Sequence, residues 1–339
     1  MTQRSMSLAT AADTLAAIPA LLGYTPDNSV VTIALADNGK GSHRVVTVAR
    51  VDADQAEAGA DNVATPLSRH TVDGRPVTAV ILAAIADTTH AGAALVGLDA
   101  IRDAFTAHGI RTIRTLHTYS LTAGTTFTDL DRFSDGTIPD PATTEIATSR
   151  AVDGAVIAAS RADLEARYAP TTEIPESLAL AAAATMGADF LPLTFDELAA
   201  VIHAREIPSA DLTSRVGLAL ATGHTEVRDA FMAMHIHGND DAADVFTRIA
   251  APLRGTARAN ALAIAAYFLY STGDGVAARS AIDAAEHTAH RADITLPRLA
   301  ALLSAALTAG MSPTDVQGLG NVITPDYVAT HIGRVQSYT

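Results

Sequence analysis

The chain has no cysteine and no tryptophan, and its one lysine is Lys40; arginine supplies the rest of the positive charge. Without thiols there can be no disulfide, no thiolate nucleophile and no cysteine-based zinc site. Aromatic residues make up 4% of the 339 positions, so the core must be built from alanine, leucine, valine and isoleucine. Small apolar side chains of that kind favour closely packed helices. Basic charge is scarce: 23 Lys and Arg stand against 37 Asp and Glu, a formal net charge of −14. A nucleic-acid binder needs a basic face to neutralise phosphates, and no basic run or tryptophan platform is present, so no nucleic-acid partner is expected. Anionic membrane surfaces are disfavoured for the same reason. The longest apolar runs, residues 77–86 and 261–270, are about half the ~20 residues of a spanning helix. Residues 1–17 lack an apolar core and contain Asp13, so no signal peptide is expected. A soluble, cytoplasmic protein is the expectation, and zero cysteine fits it.

What is present is organised around residues 18–35. An apolar helix end meets Gly23, a tight corner follows, and a strand opens at Ser29. Gly23 can adopt the left-handed conformation that closes a helix, and Pro26 cannot extend one. Val31, Ile33 and Leu35 then alternate with Thr32 and Ala34, which is the period of a strand.

In chain order, residues 11–22 read as a short amphipathic helix with Thr10 or Asp13 near its start. Strands are expected over 29–36 and 44–51, joined as a hairpin through Asn38-Gly39-Lys40-Gly41-Ser42. Residues 55–69 are weakly helical. The continuous apolar run 77–86 suits a strand buried on both faces. A helix over 92–108 and a strand over 110–121 complete a βαβ unit, so β-strands in parallel are expected there. Residues 122–148 turn rich in Thr, Asp, Gly and Pro and read as a linker or flap. From residue 151 onward the periodicity is helical, with candidates at 152–168, 175–187, 195–205, 210–222, 226–237, 241–253, 257–272, 276–291 and 297–309. Thr194 and Glu197 have capping-box spacing. Leu262, Ala265 and Phe268, followed by Ala277, Ala281 and Ala284, approximate a tetratricopeptide-like hairpin. The expected fold class is an α/β amino-terminal domain, a mixed sheet with flanking helices, over residues 1–121. A linker or flap at 122–150 then leads to an all-α, tetratricopeptide-like domain over 151–339.

Several stretches carry a family resemblance. Pro19-Ala20-Leu21-Leu22-Gly23-Tyr24-x-Pro26-x-x-Ser29-Val30-Val31, then Arg50-Val51-Asp52, resembles the opening of an actinobacterial family, domain of unknown function 4192. Ser160-Arg161-x-x-Leu164, Val227-Arg228-Asp229-Ala230 and Gly273-Asp274-Gly275-x-Ala277-Ala278 agree with it. The resemblance spans about Leu8 to Met311 and implies an actinobacterial origin and no particular activity. Relatives often carry Trp and Cys around the segment matching 119–140; this chain has neither, so no role of those side chains carries over.

Candidate sites follow from position. In open parallel α/β sheets, ligands bind beyond the carboxyl ends of the strands. Those ends carry Arg50 and Asp52, then Asp87, Thr88 and His90, then His117, Tyr119 and Ser120. Arg50, Asp52, Asp87, His117 and Tyr119 are the candidate ligand-binding set; an Asp–His pair there could act as a general base or hold a metal. The plainer alternative is that Asp87 and Thr88 cap the following helix and Arg50 with Asp52 forms a surface pair. Ser29 has no Gly-x-Ser-x-Gly elbow and reads as a strand-start cap. His224, His235 and His237, and Asp283, Glu286, His287 and His290, are metal-compatible spacings without a metal signature, so no metal and no cofactor is expected. Arg228 with Asp229 reads as a clamp between helices, and Asn239-Asp240-Asp241 as an acidic helix start. With no catalytic motif, the leading expectation is a non-enzymatic interaction or scaffold protein that engages a protein partner or itself. The alternative is a small-molecule-binding protein or enzyme with its site at the strand ends.

Overall fold

The computed structural model describes residues 10–39, 42–72, 74–152 and 156–337. Residues 1–9, Lys40 and Gly41 of the expected hairpin loop, and residues 153–155 of the expected helix 152–168 lie outside the described residues. The chain forms two compact units, Met1–Asp163 and Leu164–Thr339.

The first unit opens with α1 (Ala11–Leu22). Thr10 accepts the Asp13 N–H at 3.0 Å, and the Asp13 carboxylate accepts the Thr10 N–H at 3.3 Å, a complete capping box. Gly23 ends the helix at φ 80°, its N–H donating to the Pro19 carbonyl. Strands β1 (Ser29–Asp37) and β2 (His43–Asp52) pair antiparallel. After α2 (Ala60–Arg69) and the two-residue β3 (Thr71–Val72) comes β4 (Arg75–Ile85), which pairs antiparallel with β1. Helix α3 (Ala91–Ala107) crosses to β5 (Arg111–Thr118), parallel to β4 as the βαβ pattern predicts. The order is β2-β1-β4-β5-β6-β7, with β3 paired to the start of β4. This is a mixed sheet with flanking helices. Val30, Val80, Leu82 and Ala84 on one face share a core with Leu98, Ile101 and Phe105 of α3. On the opposite face Arg114 of β5 donates to Thr14 Oγ1 of α1 at 3.4 Å.

Residues 122–150 do not form a free linker. They supply β6 (Thr126–Asp129) and β7 (Ser134–Thr137), which extend the sheet antiparallel from β5, and then α4 (Glu145–Val152). Polar side chains on both sides of the junction hold this extension. The Thr118 hydroxyl of β5 donates to the Thr126 carbonyl at 3.0 Å, and buried Asp129 accepts the N–H groups of Asp131 and Arg132. A short helix α5 (Arg161–Ala166) carries the boundary between the units, later than the expected division at 150.

In the second unit no strand follows residue 164 among the described residues. Its helices are α6 (Glu176–Met186), α7 (Phe190–Ala204), α8 (Ala210–Ala221), α9 (Thr225–Ala230) and α10 (Asn239–Ala250). There follow α11 (Gly255–Ser271), α12 (Gly275–Ala292), α13 (Arg298–Thr308), α14 (Pro313–Gln317) and α15 (Pro325–His331). Helix α11 is buried on nearly every side, which marks it as the core helix. Phe195, Phe231, Phe246 and Phe268 pack in succession at centroid distances of 5.8, 6.3 and 5.9 Å, the first pair stacked and the second edge to face.

Two expectations are corrected here. Thr194 caps nothing: α7 begins at Phe190, and buried Thr194 donates its hydroxyl to the Phe190 carbonyl at 2.6 Å. Glu197 instead pairs with buried Arg215, which also reaches Asp211 at 2.9 Å and Thr194 Oγ1 at 3.1 Å. The apolar helical run is also longer than the sequence runs suggest. Helices α6 and α7 with the turn between them, Glu176–Ala204, run 29 residues and contain an 18-residue window of mean hydropathy 1.5, long and apolar enough by length and composition to cross a membrane. Within it Phe195, Leu198 and Ile202 are buried in the core of the second unit.

Candidate functional site

Strand register decides which candidate residues can meet. Ser29 pairs with Asp52 on one side and Ile85 on the other, and Ile85 pairs with Thr118. The carboxyl ends of β2, β4 and β5 therefore share one rim with the start of β1. Side chains alternate between faces along a strand, and directly paired residues share a face. Arg50 stands in the row Arg50–Val31–Ala83–Leu116, whereas His117 stands in the row Val51–Val30–Ala84–His117. Arg50 and Asp52 thus lie on the α1 face, and His117 and Tyr119 on the α3 face.

On the α3 face, Asp87 is a capping residue. Its Oδ1 accepts the backbone N–H groups of Thr89 at 2.9 Å and His90 at 3.0 Å, and His90 Nδ1 lies 2.8 Å away. The His90 ring, then its backbone N–H, hold the Asp87 carboxyl below the usual carboxylate range. Asn28, held at φ 37°, accepts the Asp87 N–H through Oδ1 at 3.0 Å and donates from Nδ2 to Asp87 Oδ2 at 3.4 Å. His117 and Tyr119 meet edge to face at 5.5 Å. Burial pushes the His117 imidazole down, and its Nε2 is buried with no hydrogen-bond partner among the described residues. Tyr119 is 54% exposed. Among the described residues no hydrogen bond, ion pair or ring contact joins Asp87 to His117 or Tyr119. Of the two histidines at the strand ends, His90 is the one that pairs with Asp87, and His117 is not.

On the α1 face a tighter group forms. Arg50 Nη2 lies 2.6 Å from Asp52 Oδ1 and 3.4 Å from the Asp27 carbonyl. Arg161 Nη1 stands 3.9 Å from Asp52 Oδ2. The ring of Tyr24 is buried beside them; burial raises its hydroxyl pKa, and Arg50 and Arg161 oppose that rise. Backbone bonds fix the arrangement: Thr25 N–H donates to the Ala158 carbonyl at 3.1 Å, and Ala158 N–H to the Gly23 carbonyl at 2.8 Å. Arg150 reaches the Ala20 carbonyl at 2.9 Å, closing the end of α1. Tyr24 and Arg161 escaped the strand-end argument because neither sits at a strand's carboxyl end. The signal that could have found them is in the motifs: Gly23-Tyr24, Arg50-Val51-Asp52 and Ser160-Arg161 converge here. Ser29 Oγ donates to the Asp27 carbonyl at 2.7 Å, a strand-start role.

The polar clusters of the helical unit are structural. Asp283 and Glu286 both pair with Arg279 (the latter at 3.1 Å), not with His287 or His290. His224 precedes α9, while His235 and His237 lie in the 3-10 turn Phe231–His237, so no single helix presents them. His237 packs edge to face on His203 at 6.3 Å, and burial lowers its pKa. Among the described residues no group of three or more His, Asp or Glu is placed to hold a metal. Arg228 grips the adjacent Asp229 at 2.8 and 2.5 Å; the expected clamp between helices is a local pair. Asn239 opens α10 with Asp240 and Asp241 in its first turn, as an acidic helix start should. The buried cation Arg258 donates to the carbonyls of Ala250 at 2.5 Å and Tyr168, and burial pushes its pKa down to about 10.

One surface of this unit is apolar without being buried. Helix α6 buries Ala179, while Leu178 is 42% and Leu180 54% exposed. Residues 177–188 contain no ionisable side chain.

No curated protein and no solved structure shows a significant match to the chain. A family model described as Domain of unknown function (DUF4192) matches residues 12–314 and so takes in the corner, the sheet and most of the helical unit. The chain belongs to the DUF4192 family.

Proposed function

We propose that this chain is a non-enzymatic interaction protein that associates with a second copy of itself through α6. The observation that carries the reading is the uncharged, exposed arc of that helix, Ser177, Ala181, Ala184 and Thr185, with exposed Leu178 and Leu180 flanking it on either side. Contiguous exposed apolar surface on a soluble unit marks an interaction site. Charge selects the occupant. Two copies at −14 each repel over most of their surfaces, and residues 177–188 form a face where they can meet without bringing like charges together. A twofold contact of α6 against α6 is self-complementary, and its alanines permit close helix approach. The successive packing of α11, α12 and α13 supports a tetratricopeptide-like arrangement for this unit. The opening motif supports an actinobacterial origin, and the lack of cysteine a cytoplasmic place.

Light scattering on the purified chain tests the association. A dimer that the double variant Leu178→Asp/Leu180→Asp turns into a folded monomer supports the reading. A wild-type chain that stays monomeric at high micromolar concentration overturns it, as does co-sedimentation with neutral vesicles in place of dimerisation. A second reading, a small-molecule site at the sheet rim, is favoured by Arg50 on the α1 face, whose buried Nε has no hydrogen-bond partner among the described residues.

A further inference from the structure

We propose that Arg50, Arg161 and the Tyr24 hydroxyl form a binding site for an oxyanion, the carboxylate or phosphate group of a small ligand, with Asp52 as the built-in competitor that the ligand displaces. The proposal rests on the second reading above and is independent of α6. A guanidinium offers five N–H donors in a planar fork that suits bidentate carboxylate or phosphate. Arg50 uses one nitrogen, Nη2, for both Asp52 and the Asp27 carbonyl. Its Nε is buried with no partner among the described residues, although the side chain is only 9% exposed. A nine-tenths-buried cation with idle donors is a group prepared for a further acceptor. Tyr24 adds a hydroxyl beside the two cations: the residue is 3% exposed, and Arg50 and Arg161 both act on its titration.

Arg161 adds the second cation. It stands 3.9 Å from the same Asp52 carboxylate with its side chain 45% exposed. The three groups are placed by backbone: Arg50 by its β2 register opposite Val31, Tyr24 by the bridge to Ala158, and Arg161 by following that bridge closely in the chain. Preorganisation of this kind lowers the cost of binding. The overall charge of −14 limits the ligand class, because a long polyanion would be repelled while one or two anionic groups at a local pair of arginines would not.

The test uses the full chain, in a buffer free of competing anions, titrated with inorganic phosphate and separately with acetate by NMR. Saturable shifts of Tyr24 and Arg50 resonances are expected with at least one probe, and the preferred probe tells phosphate from carboxylate. Asp52→Asn removes the competitor and should tighten binding by roughly tenfold. Asp54→Asn, a nearby exposed acid outside the group, should leave it unchanged. Arg50→Gln should abolish binding, and Arg50→Lys, which keeps the charge and loses the fork, should weaken it. Should Arg50→Gln fail to fold by circular dichroism, the Asp52→Asn and Arg50→Lys arms decide. The proposal is overturned if Asp52→Asn binds neither probe more tightly than wild type, or if folded Arg50→Gln binds as well. A neutral small molecule that shifts the rim resonances while neither anion does would sink the oxyanion proposal and leave the rim reading standing.

Discussion

Gly97→Ala puts the packing of α3 against the turn before α2 to a quantitative test. Gly97 is buried in α3, and a Cβ there would lie 2.3 Å from the Cβ of buried Ala56 and 3.2 Å from its Cα and carbonyl carbon. Carbon atoms in contact sit about 3.5–4.0 Å apart, so the two methyls must separate by more than ~1 Å. In an open helix the substitution would gain about 1 kcal/mol of helix propensity. Overpacking a core costs about 1–3 kcal/mol, and neither methyl can escape by changing rotamer because both are fixed to backbone. The upper part of that range applies, and the expected net effect is a loss of about 1–2 kcal/mol. Replacing Ala56 as well (Ala56→Gly/Gly97→Ala) removes the 2.3 Å approach and should recover at least about 1 kcal/mol as a coupling energy. Urea unfolding by circular dichroism measures the total, and hydrogen exchange of the α3 amides isolates this unit from the helical one. A Gly97→Ala chain as stable as wild type would refute the packing argument.

The Gly23 corner should be equally intolerant. At φ 80°, with Arg150 Nη1 3.0 Å from an added Cβ, Gly23→Ala should cost about 1–2 kcal/mol, read as a lowered unfolding midpoint, with Gly23→Asn milder. Asp87→Ala removes the acceptor for the Thr89 and His90 N–H groups and should speed hydrogen exchange in the first turn of α3. Because the folded Asp87 carboxyl is held low, its share of stability is present above the ordinary carboxylate value of about 4 and lost as pH falls through the lowered one. The variant's melting temperature should therefore vary less across that acid window. His117 behaves differently: burial favours its neutral form, while the unfolded ring takes a proton at about 6.5. Stability should fall as pH drops from about 6.5 toward the lower folded value and level off below it. His117→Gln should flatten that descent, and an NMR titration midpoint at or above 6.5 for the folded ring would contradict it.

Where local chemistry settles the outcome, the chain is legible. Thr10, Asp13 and Gly23 bound α1 at both ends, and the apolar run within β4 with α3 behind it yields the parallel pair. Residues 122–150 mislead because Thr, Asp and Gly look the same in a loop and on a sheet margin. What makes β6 a strand is its pairing with β5, Thr118 opposite Phe127, which the composition of the segment does not display. Thr194 and Glu197 mislead for a related reason: capping-box spacing also occurs inside helices, and the deciding partner, Arg215, is 18 residues beyond Glu197. The candidate site follows the same logic. Arg50 and His117 both stand near strand ends, so position along the chain groups them, yet register sends them to opposite faces. A slip of one residue would reverse either side chain. A list of strand-end residues therefore locates a rim but cannot assemble a site. Assembly here comes from the corner at Gly23, which docks Ala158 and so brings Arg161 to the carboxylate that Arg50 already holds. Which side chains the fold gathers is thus read best from which motifs the backbone stitches together, and on that criterion Tyr24, Arg50, Asp52 and Arg161 form a group that Asp87 and His117 do not.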